Sequence, residues 1–352
     1  MAALAAAVMM AVPVAPAVAA GATGAASIQP GDYLVGGWEL YRSRFVTEEG
    51  RVVDDDNGSI SHSEGQGYGM LLAVAAGDRA SFETLWNWTD QELFIRKDGL
   101  AAWRWTPEAQ PRVTDTNDAT DGDLLIAWAL LRAAEKWNVP EWRVAAAKIA
   151  DALARLAVKT VGGHRVLMPA VAGFDAGEQP DGPVVNLSYW IFPAIDELST
   201  ISPALAKAKL SESGLRLARA ARFGESGLPS DWISLAAKTP APARSFPATF
   251  GWNAVRIPLY IAWGPRDQRD LLDAYRESWG DAGPKVVDLA SGVVVDPLPA
   301  PGYGAIRDLV ACSLDGRRVS DATRNFEPTT YYPSTLHLLS LLVLAERYPR
   351  CL

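Results

Sequence analysis

Apolar residues recur at helical spacing along almost the whole chain, and that one period limits what it can fold into. A first helix is expected over 31–46, with Tyr33, Trp38, Tyr41 and Phe45 along it. A polar loop, 51–60, follows, and then an apolar helical run from Leu71 to Ala76. The segment 78–93 reads as a helix with Phe82, Leu85, Trp86 and Leu93 facing inward. Further helices are expected over 121–137, 142–158, 188–198, 211–222, 253–263 (kinked at Pro258), 266–279, 305–314 and 333–346. Strand alternation is scarce. No linker divides the 352 residues and no repeat marks a solenoid, so the chain reads as one all-α domain of eleven to twelve helices. A ring of paired helices fits this alternation. Each inner helix is then followed by an antiparallel outer one, so all inner helices run the same way. Their N-termini gather at one end, together with the long loops 94–120 and 167–183.

Two acids sit where such a ring would bring them together. Ser61-His62-Ser63-Glu64-Gly65-Gln66-Gly67-Tyr68-Gly69-Met70 places Glu64 among glycines, which leave room for a flat, bulky ligand to approach the backbone. Ser63 and Gln66 have the spacing of a capping box, as do Thr120 and Asp123, so Glu64 and Asp121 fall in first turns. Two readings of each acid stand open. One is a carboxylate that only satisfies a helix N-terminus. The other is a member of the pair that glycoside hydrolysis needs across the scissile bond. A first-turn position lowers the pKa of Glu64 through the helix dipole, against a proton-donor role, and a like charge on Asp121 raises it again.

Composition removes several partners. The formal net charge is −8 and there is no basic block, which argues against nucleic acid or an anionic membrane surface. The three histidines (His62, His164 and His337) are scattered, no Cys/His spacing suggests a metal, and no cofactor is implied. Two cysteines, Cys312 and Cys351, make no disulfide framework, and whether they pair stays open. Tryptophan is abundant, at 13 residues. Trp86, Trp128 and Trp137 lie in apolar helical patterns and read as core. Trp103, Trp105, Tyr189, Trp252 and Tyr303 lie in loops or at helix starts, where each is either packing or a platform for a sugar face. Arg256, nearly one turn after Asn253, either holds the acids or a sugar hydroxyl, or makes an ordinary salt bridge. The first 31 residues carry no charged side chain, and Ala17-Val18-Ala19 gives a small-x-small cleavage pattern. Residues 1–19 therefore read as a cleaved signal peptide, without a basic n-region, and the protein as secreted or periplasmic. Pro13, Pro16 and the short apolar core oppose a membrane anchor.

Ser63-Glu64-Gly65-Gln66-Gly67-Tyr68-Gly69-Met70 resembles the proton-donor motif of glycoside hydrolase family 8. Ala119-Thr120-Asp121-Gly122-Asp123-Leu124-Leu125-Ile126-Ala127, running on to Trp137, resembles that family's second signature. Similarity to the bacterial endoglucanases that accompany cellulose synthases covers most of the mature chain, including Ser230-Asp231-Trp232 and Ala254-Val255-Arg256. The resemblance implies an (α/α)6 barrel, a single catalytic domain over 28–350, an inverting mechanism and β-1,4-glucan as substrate. It makes Glu64 the proton donor and matches Asp121 to the acid that holds the central sugar and steadies the transition state. One position departs from the cellulase pattern. Asn253 stands where an Asp acts as general base, and an amide takes no proton from water at neutral pH, although it can orient one. Asp231, Asp118, Asp181 and Asp121 are the candidates for a replacement base. The expected activity is an endo-β-1,4-glucanase (cellulase), with a possible functional link to a cellulose synthase. The alternatives are a glucan-binding protein that has lost turnover, or an enzyme for xylan, chitosan or mixed-linkage glucan.

Overall fold

The computed structural model describes residues 30–352, so the expected signal peptide, 1–19, lies outside the described residues. Thirteen α-helices are found among the described residues. They are α1 Pro30–Phe45, α2 Ser63–Ala76, α3 Arg79–Glu92, α4 Thr120–Trp137, α5 Pro140–Leu156, α6 Phe192–Leu198, α7 Pro203–Ala208, α8 Leu210–Ala220, α9 Ile257–Trp263, α10 Arg269–Trp279, α11 Pro301–Asp315, α12 Asp321–Arg324 and α13 Tyr331–Arg347. The expected helices are recovered within a few residues at each end. The additions are the short α7 and the single turn α12, too brief to show a period.

Six helices form the inner ring, in the order α2, α4, α6, α9, α11 and α13, and α13 closes back onto α2. The others pack outside: α1 against α13 and α2, α3 against α2, α5 against α4, α7 and α8 against α6, α10 against α9 and α11, and α12 against α11. This is the (α/α)6 barrel. Burial follows the ring. All seven residues of α9 are buried, and in α4 the buried run 120–131 is unbroken. The outer helix α5 instead buries one stripe, Ala146, Ile149, Ala150, Leu153 and Ala154. No helix among the described residues is long and apolar enough to cross a membrane.

Helix ends are set by local chemistry. Gly77 (φ 79°) and Gly316 (φ 67°) end α2 and α11 in the left-handed region that glycine enters freely. The two expected capping boxes do not form. His62 caps α2 through its ring, while Gln66 turns away to accept Val52 N–H at 2.6 Å and donate to Thr89 Oγ1 at 2.8 Å. Thr120 Oγ1 donates to Met168 O at 2.8 Å, and Asp123 Oδ1 accepts Ala101 N–H at 2.8 Å. These side chains tie loops to the barrel, a long-range role that spacing along one helix cannot reveal.

Short antiparallel strands decorate the loops: β1 Ser61–His62 with β2 Arg104–Trp105, β3 Val158–Val161 with β4 His164–Leu167, β5 Val184–Val185 with β6 Ile233–Ser234 and β7 Ala241–Pro242, and β8 Thr249–Phe250 with β9 Lys285–Asp288 and β10 Val294–Pro297. At the C-terminal ends of the inner helices, Arg132 of α4 bonds Glu197 of α6 at 2.7 Å and Glu346 of α13 at 2.6 Å. Trp128 and Trp263 donate their indole N–H groups to the same two glutamates. Cys312 of α11 and Cys351 form a disulfide, answering the question the sequence left open.

Candidate active site

The glycines around Glu64 serve contact between helices. A Cβ on Gly67 would sit 2.4 Å from Leu125 Cβ, and one on Gly122 would sit 2.6 Å from Ser63 Cβ and 2.7 Å from the Glu64 backbone nitrogen. Gly65 faces the Tyr331 hydroxyl and the His62 ring, and Gly69 faces Val52. The expected space for a ligand at these glycines is therefore filled by protein. Their absent side chains let α2 and α4 touch at their N-terminal turns, which brings Glu64 beside Asp121.

Arg256 bridges the two acids. Its Nη2 donates to Asp121 Oδ2 at 2.8 Å and lies 3.1 Å from Glu64 Oε1. Its Nη1 donates to the Tyr332 hydroxyl at 3.1 Å, which in turn donates to Trp252 O at 2.7 Å. The guanidinium is almost fully buried. Burial works against its charge, but Glu64 first, and then the tyrosines around it, hold it charged well above the ordinary arginine range. Tyr68, one turn after Glu64 on α2, donates to Glu64 Oε1 at 2.9 Å. Tyr260, one turn after Arg256, hydrogen-bonds the Tyr68 hydroxyl. Two pairs at i, i+4 spacing thus face each other across the mouth of the ring. Burial and, after it, the charge of Glu64 push the Asp121 carboxyl up to about 7, with Arg256 opposing. The buried Asp121 carboxyl, beside a second carboxyl, thereby holds its proton to a higher pH than an ordinary carboxylate.

Each inner helix contributes a residue from its start. Besides Glu64, Asp121, Arg256 and Tyr332, Tyr189 precedes α6 and places its ring centroid 5.8 Å from the Arg256 guanidinium. Tyr303, at the start of α11, lies 6.1 Å from Trp252 and 6.4 Å from Tyr332, centroid to centroid. Trp252 is 47% exposed. Trp103 adjoins α2: its carbonyl accepts Ser63 N–H at 3.0 Å, and its indole N–H donates to Asp115. Trp105 is packed into a stack, with the guanidiniums of Arg51 and Arg112 at 4.9 and 5.1 Å, Trp88 edge-on, and its N–H on Glu92. On the Tyr189 side, Trp232 is stacked between Phe174 and Phe246.

The candidate bases separate in space. Asn253 is half-buried at the head of the 3-10 turn Ala254–Arg256 and makes no side-chain cap bond there. Asp231 is bonded to the backbone on either side of it, with Oδ1 accepting Gly251 N–H at 3.0 Å and Ala254 N–H at 2.7 Å. Burial raises the Asp231 pKa, and Arg256 and the backbone bonds oppose this. Asp118 instead accepts Val171 N–H and lies 3.5 Å from Arg96, and Asp181 accepts Arg244 N–H. The side-chain hydrogen bonds and ion pairs of these two run to Val171, Arg96 and Arg244, not to Glu64, Asp121 or Arg256. The sequence reading missed Tyr68, Tyr260 and Tyr332. The i, i+4 spacing from Glu64 and from Arg256 was the available signal for the first two. No group of three or more His, Cys, Asp or Glu side chains among the described residues is arranged to hold a metal.

A pair of carboxyls bridged by a buried arginine, at the mouth of a helical barrel and flanked by aromatic rings, is an arrangement that suits the cleavage of a sugar linkage. The sequence matches the model of Glycosyl hydrolases family 8 over residues 5–346. It is 37% identical to an endoglucanase from Cellulomonas uda over 305 residues, covering 85% of this chain and 84% of that protein. It is 36% identical over 330 residues to a probable endoglucanase from Novacetimonas hansenii, covering 92% and 94%. The endo-beta-1,4-glucanase CMCax from Acetobacter xylinum superposes with a TM-score of 0.80 at 35% identity, covering 90% of this chain and 99% of that one. The chain belongs to glycosyl hydrolases family 8 and is a glycoside hydrolase.

Proposed function

We propose that this hydrolase is an endo-1,4-β-glucanase, a cellulase, in which Glu64 donates the proton. The observation that carries the site is the shared Arg256 Nη2, 3.1 Å from Glu64 and 2.8 Å from Asp121. Endoglucanases similar over most of both chains support the substrate class. Glu64 Oε1 already receives Tyr68 and approaches Arg256, which leaves Oε2 to carry the proton to the leaving oxygen. Asp121 in its ionised form, held in place by Arg256, is suited to steady the positive charge that develops on the sugar ring. Asp231, held on the backbone that flanks Asn253, is the base we assign, with Asn253 orienting the water and inversion as the outcome. Trp252 and the half-buried Tyr189 offer faces along the mouth for neighbouring sugars, whereas Tyr303, 3% exposed, packs against Trp252 and is not the sugar platform the sequence suggested. The Cys312–Cys351 bond fits an oxidising compartment and supports a secreted or periplasmic protein. A functional link to a cellulose synthase belongs to the same reading.

The test is Glu64→Gln, which keeps the shape and removes the acid. Reducing-sugar release from carboxymethylcellulose should vanish while cello-oligosaccharide binding persists. A fully active variant overturns the donor assignment. Wild-type protein that binds cello-oligosaccharides but releases no sugar decides for the glucan-binding reading that Asn253 raises.

A further inference from the structure

Glu64 is preceded by a histidine whose two ring nitrogens are both engaged. His62 Nδ1 accepts the Gly65 backbone N–H at 3.0 Å, which caps α2 one residue beyond Glu64. A nitrogen that accepts carries no proton, so the neutral ring holds its hydrogen on Nε2. Nε2 points at Asp54 Oδ2, 3.6 Å away. The edge of the ring packs against Tyr331 of α13, with centroids 5.5 Å apart. On the other side, Nδ1 lies 3.9 Å from Glu64 Oε2, the oxygen not engaged by Tyr68 or Arg256.

We propose that His62, oriented by Asp54, is a positioning residue for the proton donor: neutral, it caps the first turn and fixes Glu64, and protonated, it disables that turn. The proposal rests on Glu64 as the donor. Protonation at Nδ1 sets an N–H against the Gly65 N–H, donor facing donor, and removes the cap. It also places an imidazolium next to Glu64 Oε2, which favours the ionised carboxylate and withdraws the proton needed for catalysis. The groups facing the ring are Asp54 from the loop, Glu64 from α2, Asp121 from α4 and the neutral Tyr331 from α13. Burial disfavours the charged ring, but the Asp54 carboxylate beside Nε2 and the charges of Glu64 and Asp121 outweigh it, so the His62 pKa is raised. The Gly65 N–H is the opposing contact. His62 accordingly contributes to the acid limb of the activity profile, at a pH above that of an ordinary carboxylate.

Asparagine separates the two roles, because its side-chain oxygen caps a helix as well as any residue and does not titrate in this range. His62→Ala should lower kcat about tenfold with little change in KM, as expected for a displaced catalytic group. His62→Asn should recover most of that loss and move the acid limb of kcat/KM to lower pH. The proposal is overturned if His62→Asn and His62→Ala are equally impaired, or if the Asn variant keeps the wild-type acid limb. Glu64→Gln assayed in parallel separates the two levels. If it remains active, the donor reading fails, and if it is dead, the His62 variants judge the positioning role alone.

Discussion

Adding one methyl group at Gly122 should disable the enzyme without touching a charged atom. The new Cβ would stand 2.6 Å from Ser63 Cβ and 2.7 Å from the Glu64 backbone nitrogen. Ordinary carbon contacts need about 3.5 Å or more, so α2 must retreat from α4 by roughly 0.9 Å. Both obstacles are anchored to the backbone of α2, so no rotamer change relieves them. Overpacking of this kind costs about 1–3 kcal/mol, or roughly 1–4 °C in Tm for a chain of this size. The retreat acts directly on the 2.8 and 3.1 Å contacts that Arg256 makes with Asp121 and Glu64. A displacement near 1 Å at a catalytic group lowers turnover by up to about 100-fold. The assay is reducing-sugar release from carboxymethylcellulose, with calorimetry on the same protein. Gly36→Ala is the control: Gly36 lies inside α1 with nothing within 4 Å of its Cβ position, and alanine there should be neutral or stabilising by under about 1 kcal/mol. If Gly122→Ala matches this control in Tm and kcat, the close approach of α2 and α4 is not what sets the acid pair.

Two other outcomes follow from the electrostatics and covalent links. The Asp121 pKa is raised from 3.8 to about 7 on folding, so the stability it contributes is fully present below the lower value and is lost as pH rises through the upper one. Asp121→Asn should therefore gain Tm relative to wild type between about pH 4 and about pH 8, and a constant difference across that range would contradict the shift. The Cys312–Cys351 bond closes a separation of 39 residues, worth about 4 kcal/mol in a chain-entropy model. Replacing both cysteines with serine should lower Tm by roughly 6 °C, and an unchanged Tm would show that the chain end is held by its other contacts.

Helical period and the gathering of N-termini were legible in the sequence because each depends on local repetition and on the direction of paired helices. Glu64 and Asp121, nearly sixty positions apart, meet for that reason. What the glycines do was not legible. A glycine beside an acid looks the same whether the space it leaves admits a ligand or a helix, and at Gly67 and Gly122 a helix fills it. The capping spacing at Ser63 and Gln66 misled for a related cause: Gln66 finds better partners in Val52 and Thr89, which lie close only after folding. Trp105 and Trp103 are near neighbours in sequence, yet Trp105 is enclosed by Arg51, Arg112 and Trp88, contacts that no spacing encodes. The short strands were missed because two to four residues cannot establish alternation.

The knot of Arg132, Glu197 and Glu346, with the indoles of Trp128 and Trp263, gives the ring a floor. Under the proposed function, a glucan chain is then laid over the opposite rim, where Glu64 and Asp121 lie, rather than threaded through the ring. Nothing then requires it to present an end, so long strands offer as many points of attack as they have linkages. The macroscopic trace of such cutting is a solution that thins well before much sugar has been set free.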